Sequence, residues 1–460
     1  MIKKICITGA GTYGSYLANA ISETYPDIDI ILIEVGNNQI QSEEQIGFKS
    51  ELNGNSYNAA KHGRYFGLGG TSSMWGGQLL FLSENDCPND SSMDYIKSLN
   101  CKHAPKVLSR FFDTLPDLTE YKIGDGLSVK KGVWLHFNKR NLFKYFNLAK
   151  KKIELIQDAR VLKVNSLGDS IKSISIQIKG KHVKEIYADL FFLSCGAIEA
   201  MRILDASGLI KMANETVGFC DHVSTRSFRI QARPIIAGHD FSYRFVNKSL
   251  LTTRIIGEYN GVAYYIQPVF NEEFQFFQFL KELIFKRKFS FRRFLKAIAQ
   301  FVHLFPFVYQ YFINKKLYVY GKWELNIDVE LNNTNCSITN SDSLDAFGVN
   351  SIKIDFAIPQ ETYKFIEHAK ESVRSLLAKD SIQIEELNKD TSGLKLEDTY
   401  HPFRLYQPET SFLDRFNPIS NLYVCHTGLL NRAGGLNPTA VLFCLIEELV
   451  EKKLNIRSLG

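Results

Sequence analysis

Lys3-Lys4-Ile5-Cys6-Ile7-Thr8-Gly9-Ala10-Gly11-Thr12-Tyr13-Gly14 is the stretch that decides the fold. Residues 3–8 are a short apolar run, three glycines follow in GxGxxG spacing, and Ser15 to Glu23 carries helical spacing. Strand, glycine turn and helix thus come in the order that a βαβ unit requires. A second strand, Ile28 to Ile33, ends at Glu34, twenty residues after Gly14, where a dinucleotide-binding fold places the carboxylate that accepts ribose hydroxyls. Each glycine has its own duty: a tight turn, close backbone approach to a pyrophosphate, and close helix packing, with the helix N-terminus facing the phosphate charge. Gly9, Gly11, Thr12, Tyr13, Gly14 and Glu34 are therefore candidate cofactor contacts.

Further along, Leu68-Gly-Gly-Thr-Ser-Ser-Met-Trp-Gly-Gly77 holds four glycines in ten residues, too many for a strand or helix interior. It reads as a loop whose backbone closely approaches something. Residues 151–193 alternate in short strand-like runs and end in the buried strand Leu190-Phe-Phe-Leu193, which meets Gly196 before a helix starts near Ile198. Residues 224–270 and 317–358 read as further strands, and Glu361 to Leu377 as an amphipathic helix. A last helix, Thr439 to Lys452, follows Asn437-Pro438, where a capping side chain and a helix-starting proline belong.

The chain has 460 residues, 45% hydrophobic and 23% charged, with 30 Gly and 12 Pro, which excludes collagen-like, disordered and disulfide-scaffold classes and suggests two to three structural units. Eight cysteines show no CxxC pairing and no His at zinc-ligand spacing, so a reducing compartment is expected, without a metal site. The basic start lacks the small-residue cleavage site of a leader and reads as a first strand. The longest apolar stretch, Ala297 to Ile313, is broken by Gln300, His303, Pro306 and Gln310, which argues against a membrane span.

Charge is unevenly spread. The net charge is +6, and residues 271–321 alone carry nine basic and three acidic residues together with twelve of the 34 Phe. Three-to-four spacing of Phe285, Phe289, Arg292 and Lys296 predicts one or two amphipathic helices there. Two readings stay open: the helices lie on a membrane surface, to reach a lipid-linked or glycolipid hydroxyl, or their apolar face packs on the protein and the Lys and Arg form a solvated rim. No motif supports nucleic acid binding. The expected location is cytoplasmic, either free or peripheral on the inner membrane surface.

Five separated segments, in order, resemble the glucose-methanol-choline (GMC) flavin oxidoreductases. Gly9 to Gly14 with Glu34 resembles the family's ADP-binding unit, and Gly69-Gly70-Thr71-Ser72-Ser73-Met74-Trp75-Gly76-Gly77 its glycine-rich flavin loop. Cys195-Gly196 through Gly208 is similar to the second family signature, although most members have Pro near Ala200. Val217-Gly-Phe-Cys-Asp-His222 resembles the segment that follows, and Tyr400-His-Pro402 with Gly435-Leu-Asn-Pro-Thr439 resembles the two active-site segments.

The resemblance implies an α/β chain: a Rossmann-like FAD-binding domain built from 1–85, 150–225 and 395–460, and a β-sheet substrate domain from 86–149 and 226–394 that includes the insertion at 271–321. It implies non-covalent FAD, because Ser73, Met74 and Trp75 stand where tethering members carry a His. Val161 falls where members contact the adenine through backbone, and it is equally readable as a plain strand valine. Cys195, Gly196, His426, Thr427, Asn437, Pro438 and Thr439 complete the implied cofactor contacts. By the same resemblance His401 is the base and Asn437 holds the substrate oxygen, Asn437 also being suited to cap the last helix. The implied activity is oxidation of an alcohol CH–OH group of a sugar, polyol or glycolipid by hydride transfer to flavin N5.

The chain also departs from the pattern. Pro402 to Pro408 lacks the glycine of the family's "PxGTxxMG" run, and His426 replaces a common Asp. These departures keep open a flavin-binding protein without turnover. A nicotinamide dehydrogenase or epimerase of the short-chain type would need a YxxxK motif far downstream, and the two matches, Tyr57 to Lys61 and Tyr311 to Lys315, are badly placed. His222 is read as structural, and His62, His103, His136, His182, His239, His303 and His368 as surface or satisfied core residues. No haem or iron-sulfur motif is present, so the electron acceptor is oxygen, a quinone or a separate protein.

Overall fold

The computed structural model describes residues 2–454 except 55–56, 58–59, 61, 125, 179–181, 211–216, 232–233, 247–248, 271–274, 276–278, 280–288, 300, 318–322, 332–335, 388–395 and 406–418. In chain order the principal elements begin with β1 (Lys4–Thr8), α1 (Thr12–Thr24), β2 (Asp29–Ile33), α2 (Asp94–Ser109), β3 (Leu127–Trp134), β4 (Ile153–Ile156), β5 (Ala159–Leu167), β6 (Leu190–Leu193) and α3 (Ala197–Ala206). They continue with β7 (His222–Ile230), β8 (Tyr243–Val246), β9 (Ser249–Tyr259), β10 (Val262–Phe270), α4 (Phe291–Ala299), α5 (Phe301–Asn314) and β11 (Lys316–Leu317). The remainder are β12 (Trp323–Glu330), α6 (Thr362–Lys379), β13 (Leu422–Val424) and α7 (Thr439–Glu448).

A parallel sheet runs β13-β6-β1-β2-β4, with Cys6 opposite both Ile31 and Phe191. Its central strands, Ile-Cys-Ile-Thr and Leu-Phe-Phe-Leu, are buried along their whole length, as both faces of a parallel sheet must be once helices cover them. Tyr16 of α1 stacks on Phe443 of α7 with ring centroids 4.1 Å apart, which joins the first helix to the last. All ten residues of α7 are buried. The expected run to Lys452 is α-helical only to Glu448 and then widens into one π turn, Leu449–Lys453. The strands of this sheet come from four remote stretches of the chain.

A larger, mostly antiparallel sheet runs β11-β8-β9-β10-β12-β7, with β3 paired to β9. Side chains alternate across it. One face carries Tyr264, Ile266, Leu325, Ile327 and Val329 and lies under α6, where the Tyr264 hydroxyl meets Ser372. The other face is polar: Gln267 pairs with Asn326, Tyr265 with Asp328, Asp328 with Ser224 and Glu330 with His222, of which Tyr265, Asp328, Glu330 and His222 are buried and Gln267, Asn326 and Ser224 half-buried. Such a face must be met by polar groups or by a ligand, since buried donors and acceptors left alone are costly. The basic aromatic stretch contributes α4 and α5, so two helices form within it. The remainder of 271–288, apart from Gln275 and Phe279, lies outside the described residues, as do Tyr406, Gln407 and Pro408 of the departure after His401.

Candidate active site

A cavity of 420 Å³ opens at the carboxyl ends of β1, β2, β6 and β13, the edge at which open parallel sheets bind ligands. Gly9 has φ +89°, and a Cβ there would lie 2.7 Å from Cys195 Cα. Gly14 lets α1 press on the turn, for its added Cβ would fall 1.8 Å from the Gly9 carbonyl oxygen. Gly11 stands between them in the cavity wall. Thr12 and Tyr13 follow at the start of α1, whose first turn has no side-chain cap and no acidic residue, so its backbone N–H groups are directed at the cavity without a protein partner from either source.

Glu34 is buried beside them. Its Oε2 accepts the Ala10 N–H at 2.8 Å, and Oε1 accepts those of Gly36 and Gly67, both at 3.0 Å. Burial raises its carboxyl above the usual range, while these three bonds hold it down. The first loop and the glycine-rich loop touch: a Cβ on Gly70 would sit 2.8 Å from Gly11 Cα.

Of the residues expected from sequence, Gly9, Gly11, Thr12, Tyr13, Glu34, Gly70, Thr71, Trp75, Val161, Cys195, Gly196, His401, Thr427 and Thr439 line this one cavity. The others do not. Gly69, Gly76 and Gly77 make room for Asn141, Trp134 and Arg140, and Ser72 braces the loop by donating to the Gly69 carbonyl at 2.5 Å. His426 is buried with Nδ1 accepting the Gly428 N–H at 3.1 Å, and burial lowers its pKa to about 3. The Val161 carbonyl already holds Arg202 Nη2 at 2.6 Å. Asn437 does not cap α7, because Pro438 takes that position and Asn437 Nδ2 instead donates to the Gln78 carbonyl at 3.5 Å. Its Oδ1 is buried without a partner.

The sequence reading did not name Arg64, Tyr65, Arg160, Glu199, Thr399 or Tyr400 as site residues, though all stand in the cavity wall; His62 is exposed, as expected, and also lines the cavity. Arg64 stands just before the glycine-rich loop, a signal that was there to be used. Arg160 had no signal. Its guanidinium lies 3.5 Å from the Phe48 ring centroid and bonds Asp345 at 3.0 Å, with Nε and Nη1 buried and unpartnered. Burial pushes the Glu199 carboxyl up, but Arg160, Arg202 and Arg64 outweigh it and hold the group below its ordinary value.

His401 is placed by two bonds from distant parts of the chain. Its backbone N–H donates to Asp221 Oδ1 at 2.9 Å, and its Nδ1 lies 3.0 Å from Thr399 Oγ1. The Thr399 hydroxyl in turn donates to the same Asp221 oxygen at 3.0 Å. Having spent its proton there, Oγ1 can only accept from His401, so the imidazole hydrogen sits on Nδ1 and the lone pair on Nε2. Burial, and then the nearby His222, lower the His401 pKa to about 3, which keeps the ring neutral. Tyr400, immediately before it, holds the left-handed φ of +58°, a conformation that costs about 1–3 kcal/mol for a non-glycine residue and clusters at functional sites.

Asp221 also takes the His222 N–H at 2.7 Å on Oδ1 and the Tyr57 hydroxyl at 2.5 Å on Oδ2. His222 Nε2 donates to the Gly434 carbonyl at 2.5 Å, and the His222 and His401 rings stand 6.0 Å apart. Asp221, His222 and His401 bring metal-ligating atom types together, but the Asp221 oxygens and His222 Nε2 are already engaged, so the trio is a hydrogen-bond network. On the other side Glu330 accepts from Arg432 Nη2 at 2.7 Å and from the Ala433 and Gly434 N–H groups at 3.1 Å. Both loops of the site, 399–401 and 432–437, are thus pinned from the polar edge of the large sheet.

No family model matches the sequence, and no curated protein is similar to it in sequence. Among solved structures, the fold matches the crystal structure of pyridoxine 4-oxidase from Mesorbium loti with a TM-score of 0.58 and 13% identity, over 98% of this chain and 99% of that one. The chain thus shares the fold of that oxidase. The sequence resemblance implies a flavin dinucleotide, and the residues present fit one: an acidic group at the end of β2, a bare helix N-terminus, glycines where side chains would intrude, and Arg160 with two buried donors to spare.

Proposed function

We propose that this chain is an FAD-dependent oxidoreductase that oxidises the CH–OH group of an alcohol, with His401 as the base. The observation that carries the reading is the hydrogen-bond chain Asp221–Thr399–His401, which leaves a neutral imidazole lone pair in the wall of the same cavity as Glu34 and the glycine loops. Non-covalent FAD, when bound, supplies the acceptor for the carbinol hydride. Glu34, the first turn of α1 and Arg160 would hold its dinucleotide end.

His401 Nε2 takes the hydroxyl proton while Thr399 keeps the ring from turning, and the adjacent Asp221 carboxylate offsets the charge that the ring gains. Asn437 stands outside the cavity wall with one Nδ2 hydrogen on the Gln78 carbonyl, and its part would be to give its second Nδ2 hydrogen to the substrate oxygen.

The substrate class is a sugar, a polyol or a glycolipid. The polar side chains of the cavity wall support this, Tyr65, Thr399 and Tyr400 among them, because a substrate with several hydroxyls can meet them and a plain hydrocarbon alcohol cannot. Electrons leave to oxygen, a quinone or a separate protein, and peroxide released during turnover distinguishes the first of these.

The test is the visible spectrum of the purified protein before and after anaerobic addition of sugars, polyols and glycolipids. Oxidised-flavin bands that one compound bleaches, in wild type but about 10²–10⁴ times more slowly in His401→Ala with FAD retained, are the expected result. Protein that neither carries nor takes up flavin would overturn the reading.

A further inference from the structure

Helices α4 and α5 turn their apolar stripes outward. On α4, Phe291, Leu295 and Ile298 follow at i, i+4 and i+7 and are all exposed, while Ala297 is the residue that faces inward. On α5, Phe305, Val308, Tyr309, Phe312 and Ile313 recur at i, i+3, i+4, i+7 and i+8, again in solvent. Phe305 is 66% exposed, and Phe312 and Ile313 are 63% exposed. This is the spacing with which a surface helix normally covers a core. Here the stripe faces away from the core, and monomers seldom leave a contiguous apolar patch uncovered.

The charge around the stripe is of one sign. From Leu283 to Trp323 the chain has nine Lys and Arg and no Asp or Glu. Arg292 and Lys296 are exposed one turn apart on α4, and Lys315 is exposed just past α5. The hairpin is also fixed in place. After α5, β11 pairs with β8, Tyr243 opposite Leu317, and Tyr311 packs edge-on to Phe245 with centroids 5.1 Å apart. The attachment lies at the end of the large sheet away from β7, so the patch does not compete with the His401 cavity for the same surface.

We propose that the α4–α5 hairpin docks the protein on an anionic phospholipid surface, with Phe291, Leu295, Phe305 and Phe312 entering the headgroup boundary and the Lys and Arg side chains meeting lipid phosphates. Charge decides the occupant. A second copy would bring an equally basic patch face to face with this one, and repulsion would oppose the contact. A lipid surface offers apolar depth and opposite charge together. The helices lie on the bilayer rather than cross it: α4 has nine residues and α5 fourteen, and no helix among the described residues is long and apolar enough to span.

Flotation of the full-length, flavin-loaded protein with phosphatidylcholine vesicles, with and without phosphatidylglycerol, tests this. Wild type is expected to float only with the anionic vesicles and to be released by high salt. Arg292→Glu with Lys296→Glu should weaken partitioning by at least roughly fivefold per charge, and Phe305→Ser with Phe312→Ser should abolish it. These side chains are exposed and far from the cavity, so flavin content and reduction rate should be unchanged in both variants. Protein that stays unbound with both vesicle types overturns the proposal, as does flotation indifferent to phosphatidylglycerol and to the charge reversals. Sedimentation velocity showing a dimer that Phe305→Ser with Phe312→Ser dissolves would assign the patch to a second copy instead.

Discussion

Asp221 and His401 lie 180 residues apart in sequence, yet the backbone N–H of His401 ends on Asp221 Oδ1 at 2.9 Å. That oxygen also receives the Thr399 hydroxyl and the His222 N–H, so one buried carboxylate sets the position of His401, its tautomer and its neighbouring histidine. Asp221→Asn keeps an acceptor at Oδ1 but removes the charge. It is expected to retain FAD and to slow anaerobic flavin reduction by about tenfold to a hundredfold. Asp221→Ala leaves four donors unpaired, the Tyr57 hydroxyl among them, at about 1–3 kcal/mol each and should lower the unfolding free energy by several kcal/mol. Stopped-flow reduction and urea titration check the two outcomes.

Thr399→Val preserves shape and deletes the hydroxyl that fixes Nδ1–H. With the tautomer free, a fraction of the His401 rings present an N–H to the substrate oxygen in place of a lone pair. Flavin reduction should slow by about tenfold or more, with the FAD dissociation constant unchanged, and Thr399→Ser should restore most of the rate. An unaffected rate in Thr399→Val would show that the hydroxyl does not orient the ring.

Gly14→Ala places a Cβ against the Gly9 carbonyl oxygen, so α1 must move away from the turn that closes the cavity. Overpacking of this kind costs about 1–3 kcal/mol. The variant is expected to melt at lower temperature and to purify with little or no flavin, and an absorbance ratio together with a melting curve measures both.

His401 and His426 each have a folded-state pKa of about 3, below the ordinary 6.5. Between these values the unfolded chain takes up protons that the folded chain refuses. Stability from these two groups is therefore complete above pH 6.5 and is lost as pH falls towards 3, at about 1.4 kcal/mol per pH unit for each histidine once well below 6.5. Urea unfolding of the cofactor-free protein at pH 7, 6 and 5 should show this decline, and replacing both histidines by Asn should flatten it.

The βαβ unit was legible because everything it needs is local: three glycines, an apolar run on either side and one acid at the right remove. The alternation of the large sheet was legible for the same reason. Residues that act through long-range placement were not. Arg160 is one charged residue in an ordinary strand, and only the approach of β5 to the end of β2 brings it to the cavity, where the Ala159 N–H meets the Glu34 carbonyl at 3.0 Å. Asn437 stands where a cap belongs, yet its side chain is drawn to the Gln78 carbonyl in a short strand beside β3. Asp221 was visible as part of a motif, but its hold on His401 depends on the bridge between Cys220 and Phe403, a pairing that no local pattern announces.

The parallel sheet assembles strands from residues 4–33, 153–156, 190–193 and 422–424, and this dictates an order of events during synthesis. The first βαβ unit leaves the ribosome early, with one edge of β1 unpaired until β6 arrives and one edge of β6 open until β13 does. Neither His401 nor the last wall of the cavity exists before residue 400 has emerged. A nascent chain therefore spends most of its translation with apolar strand edges uncovered, and its yield in cells should depend on chaperone supply more steeply than that of a protein whose sheet closes from neighbouring strands.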